Sequence, residues 1–203
     1  IRLKDRWGRD NLFREKWTVE EAAIGSWRGV KVWTKVSYEK NRRLKGVTLE
    51  QYYLTKPYSN IILSITKVVN STRRYIEPEL FLSIFPKPGG ENAKGALVPY
   101  NGEEYVKEVY EYESSWPVTL SDYAVIYSSK GALALIKPQR NDIALAVSIG
   151  FAKTCTLDAI MFPLKCIEPG ETRIYHAFLV VAKTLSDARA YKALSKVKYT
   201  MLT

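Results

Sequence analysis

Histidine, cysteine, methionine and glutamine are all scarce in this chain of 203 residues: there is one His, two Cys, two Met and two Gln. One histidine, His176, leaves too few soft ligands for a zinc site, so neither a metal nor a cofactor is expected. No apolar run is long enough to span a membrane as a helix, because each is interrupted within about ten residues. No phosphate-cradling glycine loop is present either. Pro88-Gly89-Gly90 lacks the following helix and the Lys-Ser/Thr pair that such a loop needs. A Ser-His-Asp set cannot be assembled around His176, which sits inside an apolar stretch, Ile174-Tyr175-His176-Ala177-Phe178. No catalytic motif is therefore recognised.

Apolar residues make up 46% of the chain and aromatics 12%, with 14 tyrosines. That is the composition of a packed domain rather than a disordered one, and its Tyr, Val, Ile and Thr favour strands. The length suits one domain over residues 1–203. The first residue is Ile1 rather than Met, which points to a processed product or a part of something longer. Scarce Gln and Met beside frequent Lys, Arg and Glu match proteins adapted to high temperature.

Period-two alternation organises the chain. Val30-Lys31-Val32-Trp33-Thr34-Lys35-Val36 alternates strictly, the pattern of a half-buried strand with its valines inward. Further strands are expected over 47–55, 61–69, 75–85, 96–100, 104–112, 118–128, 132–136, 143–151 and 173–182. Ser129-Lys130-Gly131 marks a hairpin turn. Ser186 is a candidate helix cap, with Asp187 complementing the dipole, ahead of Ala188, Tyr191, Ala193 and Leu194 at helical spacing. The expected fold is all-β, an antiparallel β-sandwich with a short C-terminal helix near 186–196.

The net charge of +10 is unevenly spread. Residues 1–45 carry 13 basic and 6 acidic side chains, whereas residues 77–113 carry 3 and 8. Trp7, Trp17, Trp27 and Trp33 are interleaved with basic residues, Arg9 and Arg28 among them. Indoles stack on sugar rings or bases, and guanidinium groups bind hydroxyls, carboxylates or phosphates. These six residues form the candidate ligand set; the alternative is that the indoles are core plates and edge covers. Glu111 and Glu113 would share a strand face as an acidic edge. Cys155 and Cys166 flank Phe162-Pro163 at a spacing that suits a bridged hairpin, and equally suits two buried thiols. Asn70-Ser71-Thr72 is a glycosylation sequon at an expected turn.

Several segments together resemble a known family. They are Trp27-Arg28-Gly29-Val30, Leu49-Glu50-Gln51-Tyr52-Tyr53-Leu54, the strand running from Ile61 to Asn70, and the paired segments between Trp116 and Ile136. The end of the chain, Ile167-Glu168-Pro169-Gly170-Glu171-Thr172-Arg173 and then Leu185-Ser186-Asp187-Ala188-Arg189-Ala190, is similar to the closing strand and helix of mutarotase-like supersandwich domains. Such domains accompany many glycoside hydrolases and polysaccharide lyases. The resemblance implies a fold and glycan contact. It does not imply mutarotase activity, since epimerisation in that family uses histidines with a carboxylate base and this chain has one histidine. The chain is also short for a complete supersandwich.

Three functions follow as expectations. The first is a carbohydrate-binding or carbohydrate-associated domain, non-catalytic alone. The second is a structural or assembly protein of a cell surface, filament or virion, its partner another protein chain. The third is a basic nucleic-acid-binding domain. The sequon and the cysteine pair favour an exported or cell-surface location.

Overall fold

Period-two runs become strands, and the burial of their two faces decides how the sheets lie. The computed structural model describes residues 2–5, 8–10, 12, 15–37, 44–77, 79–84, 87–100, 103–108, 119–139, 143–152, 154–163 and 165–198. In chain order the strands are β1 (Arg2–Asp5), β2 (Gly8–Asp10), β3 (Thr18–Ile24), β4 (Trp27–Lys35) and β5 (Thr48–Thr55). Next come β6 (Ile61–Val69), β7 (Glu79–Ile84), β8 (Gly95–Tyr100), β9 (Glu103–Glu108) and β10 (Thr119–Leu120). The last are β11 (Tyr123–Tyr127), β12 (Ala132–Ile136), β13 (Ile143–Ala152), β14 (Thr154–Pro163) and β15 (Thr172–Ala182). A single α-turn, α1 (Leu185–Ala190), continues as a 3-10 segment, Tyr191–Lys196.

The described strands form two antiparallel sheets. One has nine strands in the order β3-β4-β5-β6-β15-β12-β11-β8-β9, and the other six in the order β10-β13-β14-β7-β1-β2. This is the expected all-β sandwich. Leu49, Val68, Tyr175, Ala177, Leu135, Ala124, Ile126 and Val98 project from one face of the nine-stranded sheet, and Leu145 of β13 joins their cluster. The opposite face buries Leu54, Leu63, Ile65, Phe178, Val180, Ala134 and Val125 in a second cluster, covered in part by Leu185, Ala188, Tyr191 and Leu194. Central strands covered on both faces must be apolar at successive positions. Tyr123-Ala124-Val125-Ile126 and Ile174-Tyr175-His176-Ala177-Phe178 are such runs, and all nine residues are buried. His176, 2% exposed, belongs to this interior.

Elsewhere the structure differs from the sequence reading in ways that have physical causes. Ser121 breaks the expected 118–128 strand: its hydroxyl accepts from Tyr123 N at 3.1 Å and donates to Tyr123 O at 2.6 Å. Such local side-chain bonds compete with a sheet ladder. The chain accordingly changes sheets there, β10 pairing with β13 and β11 with β12. The helix cap is Thr184, not Ser186; its hydroxyl accepts from Asp187 N at 3.0 Å. Glu111, Glu113 and Trp7 lie outside the described residues.

The cysteine hairpin is also corrected. Cys155 and Cys166 flank the two ends of one strand, β14, so Phe162-Pro163 is no turn. At roughly 3.3 Å per residue, that extended strand holds their backbones far beyond bridging distance. Cys166 is an exposed cysteine whose Sγ lies 2.9 Å from Glu77 Oε1.

The sequon reading fails on burial. Asn70 is 0% exposed. Its amide nitrogen donates to the carbonyls of Arg74 and Ile167 at 2.7 and 3.0 Å, and its oxygen accepts from Thr72 N and Oγ1. A glycan would have to occupy that nitrogen, so in the folded chain Asn70 organises a turn instead.

Glu104 of β9 fastens the C-terminal helix. Its carboxylate accepts from Lys192 at 2.8 Å, and from Tyr123 and Arg189. Bonds from Lys192 and Tyr123, with Arg189 adding to them, hold the Glu104 carboxyl down to about 2. Burial chiefly, and then Glu104 itself, raises the Tyr123 phenol. A depressed carboxylate stabilises the fold at pH values above its unfolded value of about 4.3 and loses that contribution as the pH falls through the folded value. Glu104→Gln should therefore unfold at lower urea than the parent at neutral pH, and the gap should close between about pH 5 and pH 2. Cys166 should react with a maleimide without prior reduction, and intact mass should show the adduct on the native protein.

Candidate functional site

A stripe of half-buried aromatic and charged side chains crosses β3, β4, β5 and β6 on the helix-side face of the nine-stranded sheet. It follows from strand parity. Trp27, Gly29, Lys31, Trp33 and Lys35 share one face of β4 because successive side chains alternate. Register then sets Glu20 of β3 and Tyr52 of β5 opposite Lys31, Glu50 of β5 opposite Trp33, and Lys67 of β6 opposite Glu50. The valines lie on the reverse face, as alternation implies: Val36 is buried in the inter-sheet cluster, and Val30, toward the outer end, is 40% exposed. Near the β3 edge it is the indoles, not the valines, that meet the flanking side chains.

Bonds within and across the strands fix these groups. Trp33 Nε1 donates to Glu20 Oε1 at 2.7 Å, and Lys31 Nζ lies 2.8 Å from Glu20 Oε2. Those two partners, Lys31 first, hold the Glu20 carboxyl below its usual range. Lys31 Nζ also stands 5.8 Å from the Trp33 ring centroid. Tyr52 donates its hydroxyl to Glu50 at 2.8 Å, and Lys67 pairs with Glu50 at 3.7 Å. Burial first, then Glu50, pushes the Tyr52 phenol up. At the other end Lys56 Nζ lies 4.9 Å over the Trp27 ring. Exposed pairs of this kind add little stability singly, but they hold polar groups in place beside an indole.

Between Trp27 and Lys31 the stripe has a bare floor. A Cβ built on Gly29 would lie 2.0 Å from the carbonyl oxygen of Tyr53, which is backbone and has no rotamer to yield. Only glycine fits this approach of β4 to β5.

The candidate ligand set is thus divided by the fold. Trp27 and Trp33 share the stripe. Trp17 instead donates its ring nitrogen to Leu12 O at 3.1 Å and packs against the inter-sheet cluster. Arg28 turns its guanidinium back to the carbonyls of Gly25 and Trp27, closing the β3–β4 hairpin rather than joining the indoles. The backbone of Arg9 lies in β2 of the other sheet, paired with Lys4. The cations beside the indoles are lysines, Lys31 and Lys56. Glu20, Glu50, Tyr52, Lys67 and Gly29 were absent from the sequence-based set. Recognising β3 as a strand is the signal that would have found Glu20, because pairing across the Gly25-Ser26 turn then sets it opposite Lys31.

The arrangement offers flat apolar faces flanked by fixed acceptors and donors. It does not offer a proton donor in Glu20, whose lowered carboxyl stays ionised at neutral pH. Among the described residues no three His, Cys, Asp or Glu side chains stand together as metal ligands, and no helix is long and apolar enough to cross a membrane.

No family model matches the chain, and no curated protein matches it. Its likeness is to solved structures. A GH36 α-galactosidase from Geobacillus stearothermophilus, solved in complex with stachyose, superposes with a TM-score of 0.58 at 8% identity, over 90% of this chain and 30% of that one. An α-N-acetylgalactosaminidase from Bifidobacterium bifidum gives 0.57 at 12% identity, over 95% and 32%. A TPR-domain-containing protein from Parabacteroides distasonis gives 0.55 at 9% identity, over 91% and 36%. The chain therefore spans about a third of the length of these proteins. At such identities the likeness establishes a shared β-sandwich fold.

The bare floor makes a sharp stability test. Gly29→Ala should destabilise the protein by about 1–3 kcal/mol, the usual cost of forcing a methyl into filled space. Equilibrium urea unfolding would measure it, and an unchanged midpoint would show that β4 and β5 do not approach so closely.

Proposed function

We propose that this chain is a carbohydrate-associated β-sandwich domain that contacts glycan through the Trp27–Trp33 stripe and carries no catalysis of its own. One observation carries the reading: two half-buried indoles on one strand face, with a bare glycine and Lys31 between them and carboxylates and lysines already held in place beside them. A sugar ring presents a C–H face to an indole and hydroxyls to fixed polar partners. Groups held before binding cost less ordering entropy when the ligand arrives. The sandwich shared with two glycosidases supports the reading, and the stachyose complex is a property of one of those proteins.

A non-catalytic role fits the electrostatics of the stripe. Glycoside hydrolysis calls for a carboxylic acid with a raised pKa beside a second carboxylate. Glu20 is shifted the other way. The nucleic-acid reading draws less support, because Lys31 and Lys67 pair with Glu20 and Glu50 across the strands. The assembly reading draws on the outermost described strand, β3, where Val19 is 65% exposed beside Val30. The sequon and the cysteine pair, which pointed outside the cell, lend no support in the folded chain.

Raffinose and stachyose titrations followed by tryptophan emission test the proposal. Saturable changes are expected, with Trp33→Ala and Trp27→Ala each weakening binding by about tenfold, the scale of a lost stacking contact. If calorimetry and emission both stay silent for these sugars and for acidic polysaccharides, the glycan reading is wrong. Concentration-dependent self-association in sedimentation would then favour assembly.

A further inference from the structure

Resting on the reading of the stripe as a glycan surface, we infer that the preferred glycan is acidic, its carboxylates meeting a cluster of cations where the stripe runs off the end of β4. Lys35 is the last residue of β4, on the Trp33 face, and it is exposed. The turn that carries Lys45 returns to this end of β4: Val36 N donates to Val47 O at 2.9 Å, and Gly46 N, next to Lys45 in the chain, donates to Val36 O at 2.8 Å. That turn in turn lies against the loop after β6, since a Cβ on Gly46 would stand 3.8 Å from the Thr72 methyl. The same loop carries Arg73 and Arg74, both exposed. It is held rigid from beneath by Asn70, whose amide bonds the Arg74 carbonyl and leaves the Arg74 side chain outside.

None of Lys35, Lys45, Arg73 and Arg74 has a carboxylate partner among the described residues. The carboxylates of this end are otherwise engaged. Glu15 accepts from Ser37 N and Oγ, Glu77 from Cys166, and Glu171 from Arg173 and from Glu168 N. Glu168 is the exposed exception. Four cations thus face solvent at the end of a surface whose middle is already neutralised. The contrast selects a ligand class. Along the stripe, Glu20 and Glu50 accept hydrogen bonds, and sugar hydroxyls can donate them. A phosphodiester strand carries a charge at every unit and would set phosphates against those two carboxylates. A uronate-bearing polysaccharide has both parts: hydroxyls for the stripe and carboxylates for the lysines and the Arg73–Arg74 pair.

The test uses the intact chain with polygalacturonate, stachyose and a short DNA duplex as probes, by calorimetry at low and high salt. Polygalacturonate should bind at least about tenfold more tightly than stachyose at low ionic strength, an advantage lost near 1 M salt where the Debye length falls to about 3 Å. Arg73→Glu with Arg74→Glu and Lys45→Glu should remove that advantage and leave stachyose binding unchanged; Lys45→Gln alone should lower it in part. Equal affinity for both saccharides would overturn the inference while the glycan reading stood. Silence from both saccharides would overturn the glycan reading, and this inference with it. DNA binding as tight as polygalacturonate, lost in the same triple variant, would overturn the choice of an acidic glycan in favour of a general polyanion site.

Discussion

The pairing of β6 with β15 is the constraint on which the rest of the molecule depends. Nine residue pairs, from Thr172 against Val69 to Val180 against Ile61, join an early strand to a late one. Asn60 extends the join across 121 residues of chain, donating its amide to Val181 O. On one side of this seam lies the meander β3-β4-β5-β6, and on the other lie β15-β12-β11-β8-β9. Both faces of the seam are covered, so most of its side chains are apolar, with Ser64, Thr66, Arg173 and His176 as buried polar members. Closing so long a loop is costly in entropy, and the burial of Leu63, Ile65, Val68, Tyr175, Ala177, Phe178 and Val180 is what offsets it.

The stripe is a consequence of leaving that seam. Moving outward from β6 through β5 and β4 to β3, cover diminishes, and the same face changes from leucine and isoleucine to tyrosine, lysine, glutamate and tryptophan. Polar groups tolerate partial cover when they are bonded to one another, and here each finds a partner on its own or the next strand. The pairings of Glu20 with Lys31 and Trp33, and of Glu50 with Lys67, are therefore products of register, while Tyr52 bonds Glu50 along its own strand. A one-residue slip of β4 would send Trp27, Lys31 and Trp33 to the other face, away from Glu20 and Glu50.

How much of this was legible in the sequence follows from which signals are local. Alternation in 30–36 and the turn at Ser129-Lys130-Gly131 are local, and β4 and the β11–β12 hairpin form where they imply. β14 was hidden because Pro163 reads as a breaker, whereas it ends the strand and tolerates the lack of a donor there. β3 was hidden because Thr-Val-Glu-Glu-Ala-Ala-Ile has no alternation, being the outermost described strand with little to bury. The site suffered most, since its membership is set by cross-strand register. Trp17 and Arg28 are close to Trp27 in sequence but not in role, one plugging the inter-sheet core and the other closing a turn. Asn70 shows the same limit: an Asn-x-Thr tripeptide looks alike whether its amide faces solvent or binds the backbone of Thr72, Arg74 and Ile167.

The placement of two glutamates side by side in β3 has a consequence for the molecule in company. An outermost strand exposes a row of amide and carbonyl groups that can extend a sheet into a neighbouring copy. Val19 and Val30 would make such a join adhesive. If two β3 strands aligned antiparallel near their centres, Glu20 and Glu21 of one would face Glu21 and Glu20 of the other, or, one register away, one of the two would face its own counterpart. Like charges opposed across strands are unfavourable. The adjacent acidic pair thus opposes such a join, and the bonds that anchor Glu20 to Lys31 and Trp33 also keep its carboxyl ionised.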